Sequence, residues 1–206
     1  MSKDNLLTAK PPHDWPVILG STSRYRKELL SRLRIPFEVC APHVDETPLP
    51  GEAPKELALR LALAKALAVA KQNPNAVVIG SDQVADLCGV ALGKPGNFER
   101  AMAQLQLMRG ATVTFHTALC LMHGETETTL SIPTEVTFRK LSDEILEAYL
   151  HAEEPYDCAG SAKSEGLGIS LLETIESDDP TALIGLPLIA LSGLLRDAGF
   201  VIPAKK

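Results

Sequence analysis

Val77-Val78-Ile79-Gly80-Ser81-Asp82-Gln83 is a short apolar run, mostly β-branched, that passes at once into three polar residues. Such a run, bounded by polar positions, suits a buried strand. Its neighbours repeat the pattern. Val17-Ile18-Leu19 precedes Ser21 and Ser23; Phe37-Glu38-Val39 leads toward Val44-Asp45-Glu46; residues 169–175 form another apolar run. Helical signals lie between them. Ser21 and Ser23 are cap candidates before the spacing Leu29, Leu30, Leu33. Residues 54–72 are rich in Ala and Leu, the strongest helix formers. Asn97 caps a helix that stops before Gly110. Ser142 opens another, with Asp143 and Glu144 at its positive end. Pro187 at a first helical position and Gly199 just past the end bracket the last. Residues 113–122 and 130–139 read as two longer strands, joined near Gly124 as a hairpin. The pattern predicts a mixed α/β chain, one two-lobed domain over residues 17–202 between loose tails at 1–16 and 203–206.

Composition narrows the function. At 206 residues the chain is long enough for a sizeable core, and 45% apolar with 22% charged residues is ordinary for a globular protein. A formal net charge of −6 argues against broad nucleic-acid binding, which needs a basic surface. A local cluster of cations can still hold a small anion. The most apolar segment, 182–195, is too short to span a bilayer and contains Pro187. Cys40, Cys88, Cys120 and Cys158 form no Cys-x-x-Cys pair and the five histidines have no metal-ligand spacing, so reduced thiols in a cytoplasmic protein are expected.

Several polar segments could carry chemistry. Tyr156-Asp157-Cys158-Ala159-Gly160-Ser161-Ala162-Lys163-Ser164-Glu165-Gly166-Leu167-Gly168-Ile169 is too polar and too glycine-rich for a core element. It reads as a binding loop that projects Lys163, Ser164 and Glu165. The loop Ser21-Thr22-Ser23-Arg24-Tyr25-Arg26 stands between a strand and a helix, where free N–H groups favour an anion. Arg26 there is either a phosphate clamp or a solvated arginine. Asp82 follows its strand, where ligands of open α/β sheets lie; it is a metal ligand, a proton acceptor or a turn-forming residue. Asp45 and Glu46 are a further acidic point. Gly93-Lys94-Pro95 is no Walker A loop, because Pro95 stands where Ser or Thr is required. Lys65, on a helix otherwise apolar around it, is either a snorkelling side chain or an inward ligand.

In this order the segments 21–26, Asp45-Glu46, Lys65, Ser81-Asp82-Gln83, Gly93-Lys94-Pro95 and 156–169 resemble the Maf family of nucleoside triphosphate pyrophosphatases, over residues 17–200. The resemblance implies a long, bent mixed sheet flanked by helices, two lobes with a cleft, like the inosine-triphosphate pyrophosphatase fold. It also implies site roles. Ser21, Ser23, Arg26, Lys65 and Lys94 would bind phosphate, and Glu46 and Asp82 a divalent cation, Mg²⁺ or else Mn²⁺ or Co²⁺. Asp82 would activate water. The family's UTP/dTTP branch has Arg, Thr and Gln where this chain has Tyr25, Gln83 and Glu165; these three resemble the branch that hydrolyses 7-methyl-GTP. An aromatic face and a carboxylate suit a base made cationic by methylation. The family loop usually has Pro where this chain has Arg24. The expected partner is a small nucleotide, with neither nucleic acid nor membrane; a homodimer is the one assembly left open. The alternatives are a Maf-type enzyme with another preferred nucleotide, or a non-hydrolytic nucleotide-binding regulator of cell division, which would not need Asp82.

Overall fold

A computed structural model describes residues 14–203. The tails expected at 1–16 and 203–206 lie, over 1–13 and 204–206, outside the described residues. Seven strands, β1 (Val17–Gly20), β2 (Glu38–Cys40), β3 (Val77–Leu87), β4 (Val90–Leu92), β5 (Thr112–His123), β6 (Thr126–Phe138) and β7 (Leu172–Ser177), form one sheet. Its order is β2-β1-β3-β5-β6-β7, with β4 beside the far part of β3. Pairing is parallel among β2, β1 and β3 and antiparallel from β3 to β7, so the sheet is mixed. Five helices flank it: α1 (Arg24–Ser31), α2 (Pro54–Ala70), α3 (Phe98–Met108), α4 (Asp143–Glu153) and α5 (Leu188–Asp197). Among the described residues no helix is long and apolar enough to cross a membrane.

Alternation along the central strands sets the layers. Leu19, Ile79 and Leu119 pack with Leu29 and Leu30 of α1 and with Leu191 and Leu195 of α5. Ile18, Val78 and Ala118 pack against α2. Farther along, Phe115 and Phe138 lie with α3 and α4 in a third cluster. α2 buries Leu57, Ala58, Leu61, Ala62, Lys65, Ala66 and Val69, the three-and-four spacing of one helix face. It presses closely on β3: a Cβ on Gly80 would lie 2.7 Å from the Ala66 nitrogen and closer still to the Ala62 carbonyl. Only glycine permits that approach, and the approach brings Lys65 against Asp82.

The structure corrects the expected strand at 77–80. β3 does not end at Gly80; it runs on to Leu87, paired to β5 as far as Asp86. What ends at Gly80 is the parallel neighbour β1. β4 takes the same edge only from Ala85. Among the described residues no strand pairs with that edge over 81–84, and this gap holds the expected site residues Asp82 and Gln83. Three other boundaries move. β2 stops at Cys40, because Pro42 and a left-handed His43 (φ 44°) break the strand before Val44. Pro187 is extended (φ −76°, ψ 99°) and precedes α5 as its cap residue rather than opening the helix. The strand expected from 169 begins at Leu172, after a 3₁₀ turn over Leu167–Leu171. The hairpin stands where it was expected: Gly124, at φ 59°, turns β5 into β6, a conformation glycine adopts without steric cost.

Candidate active site

A cavity of about 680 Å³ opens at the gap in the β3 edge. The end of β1 with the start of α1, the α2 face, β3, the turn after β4, the 157–165 segment and the turn at 183–185 all contribute to it. Every expected site residue except Asp45 lines it: Ser21, Ser23, Tyr25, Arg26, Glu46, Lys65, Asp82, Gln83, Lys94 and Glu165. Asp45 instead accepts from its own Thr47 N–H at 2.9 Å, an Asx turn.

One end is cationic. Ser23 caps α1, its Oγ accepting from Arg26 N at 3.4 Å, and Ser21 Oγ accepts from Ser23 N at 3.1 Å. Arg26 donates its Nε to the Gly185 carbonyl at 2.8 Å, and Ser81 Oγ donates to the same oxygen at 3.1 Å. That fixes the guanidinium plane and leaves its two terminal nitrogens without a partner among the described residues. Burial pushes the Arg26 pKa down, against the charges of Asp82 and Glu46. Lys94, in the turn after β4, is exposed, and its charge acts on Glu46.

Lys65 is the centre of this end. It does not snorkel. Its ammonium is 2.6 Å from Asp82 Oδ1 and 2.7 Å from Glu46 Oε1. Lys65 and Asp82 are 5% and 8% exposed, whereas the Glu46 side chain is 56% exposed. Partial burial raises the Glu46 pKa, but the hydrogen bond and charge of Lys65, with Lys94 and Arg26 beyond, outweigh it and hold the carboxyl below its ordinary value. Asp82 Oδ2 accepts no hydrogen bond from the described protein. The segment carrying Glu46 is itself tied down. Arg60 donates Nε to Glu52 Oε1 at 2.6 Å and Nη2 to the Thr47 carbonyl at 3.1 Å.

No group of three or more His, Cys, Asp or Glu residues among those described could hold a metal ion. The pair Glu46 and Asp82 does converge on one point, which an ammonium occupies. Two carboxylates, completed by phosphate oxygens and water, suit Mg²⁺, so the donor set fits a divalent cation that arrives with phosphate.

The other end is aromatic and acidic. Burial pushes the Tyr25 hydroxyl pKa up, and that hydroxyl lies 3.5 Å from both Asp157 oxygens. The Arg24 guanidinium stands 4.7 Å from the Tyr25 ring centroid. Gln83 is oriented by obligate acceptors. Its Nε2 donates to the carbonyls of Ala182 at 3.0 Å and Leu183 at 2.9 Å and to Thr117 Oγ1 at 2.9 Å. Only the amide NH₂ can do this, so Oε1 is left as an acceptor. Cys158 nearby is a thiol whose pKa burial pushes up to about 11, a poor nucleophile.

The 156–169 segment is less of a free loop than its composition suggests. Lys163 pairs with Glu153 at 2.6 Å, Glu153 also accepts from Leu167 N at 2.8 Å, and a Cβ on Gly168 would collide with the Lys163 backbone. Lys163 is thus a brace, and Asp157 and Glu165 are the acids of the segment that line the cavity. Sequence reasoning missed the turn at 179–190. Asp179, 1% exposed, accepts from the N–H groups of Ile189 and Ala190, and Thr181 Oγ1 accepts from Leu188 N. They cap α5 where Pro187 cannot, and they order the carbonyls that hold Gln83 and Arg26. The turn-type run Asp178-Asp179-Pro180-Thr181 was the available signal.

The Maf-like protein family model matches residues 16–198. A protein of Polaromonas sp. named 7-methyl-GTP pyrophosphatase is 61% identical over 202 residues, covering 97% of this chain and 92% of that protein. Proteins of the same name from Cupriavidus metallidurans and Ralstonia nicotianae are 65% and 62% identical, covering 89% and 90% of this chain and 94% and 96% of their own.

Proposed function

Because this chain belongs to the Maf family, we propose that it is a nucleoside triphosphate pyrophosphatase that hydrolyses 7-methyl-GTP to 7-methyl-GMP and pyrophosphate. The observation that carries this reading is the charge layout of one cavity. Arg26, Lys65 and Lys94 line it around Glu46, and Tyr25, Asp157 and Glu165 line it around Cys158, with Arg24 over the Tyr25 ring. A triphosphate is anionic and a methylated guanine cationic, and the two groups match those charges.

The triphosphate enters against Arg26, Lys65, Lys94 and the capped start of α1, where free N–H groups and charge hold the phosphates. Water attacks the α-phosphorus, and its proton passes to the free Oδ2 of Asp82. The bond to the bridging oxygen breaks and pyrophosphate leaves. Arg26 and Lys94 offset the charge that develops on the leaving oxygens, and such positioned electrostatics carry most phosphoryl chemistry. Lys65 exchanges its carboxylate partners for phosphate oxygens, which frees Glu46 and Asp82 for a divalent cation, Mg²⁺ or in its place Mn²⁺ or Co²⁺. When bound, that cation neutralises phosphate charge and polarises the phosphoryl group. At the base end Glu165 accepts from the guanine N1–H and amino group, and Gln83 offers a further acceptor. The setting is the cytoplasmic nucleotide pool, from which the enzyme removes a modified nucleotide.

Pyrophosphate release should be measured with 7-methyl-GTP, GTP, UTP and dTTP at matched concentration, with each of the three cations. 7-Methyl-GTP should have the highest kcat/KM, and Asp82→Asn should abolish turnover. A higher kcat/KM for UTP or dTTP would overturn the substrate reading. Normal turnover in a folded Asp82→Asn protein would refute the role of Asp82 as the base, and a wild type that binds these nucleotides without releasing pyrophosphate would support the binding-only alternative.

A further inference from the structure

Two groups of charged and titratable side chains line the cavity. Arg26, Glu46, Lys65, Asp82 and Lys94 act on one another, whereas Tyr25, Asp157, Cys158 and Glu165 form a second set. In that second set Glu165 is matched by another carboxylate, Asp157. Asp157 already has a cation. Arg24 Nη2 is 3.5 Å from its Oδ2, while the Arg24 guanidinium lies over the Tyr25 ring and donates to the Tyr25 hydroxyl at 2.6 Å. A flat cation therefore sits in the free protein with an aromatic face on one side and a carboxylate at its edge. A cationic purine needs the same two partners.

We propose that Asp157 is a specificity-determining residue, the second carboxylate for the cationic base, and that Arg24 holds its place until the base arrives. The inference rests on the 7-methylguanine reading of the site. Arg24 is suited to leave: its side chain is 71% exposed and Asp157 is its only acidic partner among the described residues. Exposed pairs of this kind are weak, so displacing it costs little. The incoming base then takes both the ring and the carboxylate, and like-charge repulsion drives the guanidinium into solvent. A neutral guanine gains nothing from Asp157 and must still move Arg24, so the arrangement discriminates for the methylated base.

The test is calorimetric binding of 7-methyl-GMP and GMP, with kcat/KM for the corresponding triphosphates, for the wild type, Asp157→Asn and Arg24→Ala. The Asp157 side chain is 54% exposed, so its effect is set by a partly solvated charge pair. Asp157→Asn should weaken 7-methyl-GMP by about two- to fivefold, the upper range of such a pair, and leave GMP unchanged. The loss should appear in KM for 7-methyl-GTP, with kcat retained. Arg24→Ala should strengthen 7-methyl-GMP binding by a comparable factor. Equal weakening of both nucleotides by Asp157→Asn would mean a structural role and overturn the proposal. So would weaker 7-methyl-GMP binding in Arg24→Ala. If the wild type shows no preference for the methylated base, the substrate reading itself fails. If it shows one that Asp157→Asn keeps, only this inference fails.

Discussion

Replacing Lys65 by Met isolates the charge at the centre of the site. Methionine keeps most of the apolar stem within the α2 face and removes the ammonium. Asp82, 8% exposed, would then have lost its ion-pair partner, with Arg26 acting on it only through charge, and Glu46 would repel it. Removing one partner of a buried pair costs about 3–5 kcal/mol. Asp82 borders the cavity and the Glu46 side chain is 56% exposed, so the cost falls at or just below the bottom of that range, about 2–3 kcal/mol. For a chain of this length each kcal/mol moves Tm by about 2–4 °C, so Lys65→Met should melt some 4–12 °C below the wild type. The same variant should gain a metal response. Two carboxylates without the ammonium form a cation site, and a ligand at a hundred times its Kd stabilises by about 2.7 kcal/mol. Melting curves with and without Mn²⁺, in the absence of nucleotide, should therefore show a larger upward shift for Lys65→Met than for the wild type. Lys65→Met with Asp82→Asn should recover much of the lost stability, because no buried charge is then left unpaired. A Lys65→Met protein that melts with the wild type, or equal Mn²⁺ shifts in the two, would refute the view that Lys65 fills the cation position.

Asp82→Asn should keep the fold and lower kcat for 7-methyl-GTP on the order of 10²-fold or more, the usual span of a lost general base; single-turnover hydrolysis checks it. Arg26→Ala should cost about 1–3 kcal/mol of transition-state stabilisation in kcat/KM, and Arg26→Lys should keep only part of the activity, because the Nε anchor on the Gly185 carbonyl is lost. Tyr25→Arg, Gln83→Thr and Glu165→Gln together should move preference toward UTP or dTTP. Gln83→Thr alone should also loosen the turn at 182–183, whose carbonyls the amide holds, and hydrogen exchange at that turn reports it. The Arg60 hydrogen bond lowers the Glu52 pKa from 4.5 to about 2. A depressed carboxyl stabilises fully above its ordinary value and loses that contribution as pH falls through the folded one. Glu52→Gln should thus melt below the wild type near neutral pH, and the two curves should converge as the pH falls to about 2.

Much of the fold was legible along the chain because its signals are local. Asn97 accepts from Arg100 N at 3.0 Å, as a cap should. The hairpin turns at Gly124, and the Ala/Leu-rich segment is α2. β3 was misjudged in length because Ser81-Asp82-Gln83 is polar. It remains a strand because β5 supplies its partner on the other edge, and a strand's partner is not written in its own residues. Lys65 could be read two ways from its helix alone, since periodicity shows which face a residue shares and not what it meets there.

Residue chemistry, by itself, determined which groups this protein has to work with: the arginine and lysines for phosphate, the carboxylates, and an aromatic with an acid for the base. It also determined the helices and strands that carry them, because caps, periods and turns act within a few residues. Tertiary structure decided which of these groups meet. Asp82 joins Lys65 from 17 residues away, Gln83 reaches Ala182 across 99, and Tyr25 meets Asp157 across 132. It admitted Glu46 to the cavity and left Asp45 in its own turn, and it made Lys163 a brace while Glu165 lines the cavity. Those outcomes depend on where β1 stops, how closely Gly80 lets α2 approach, and which carbonyls the 182–185 turn presents. Each is set by packing between segments far apart in the chain, so no short stretch of it contains the answer.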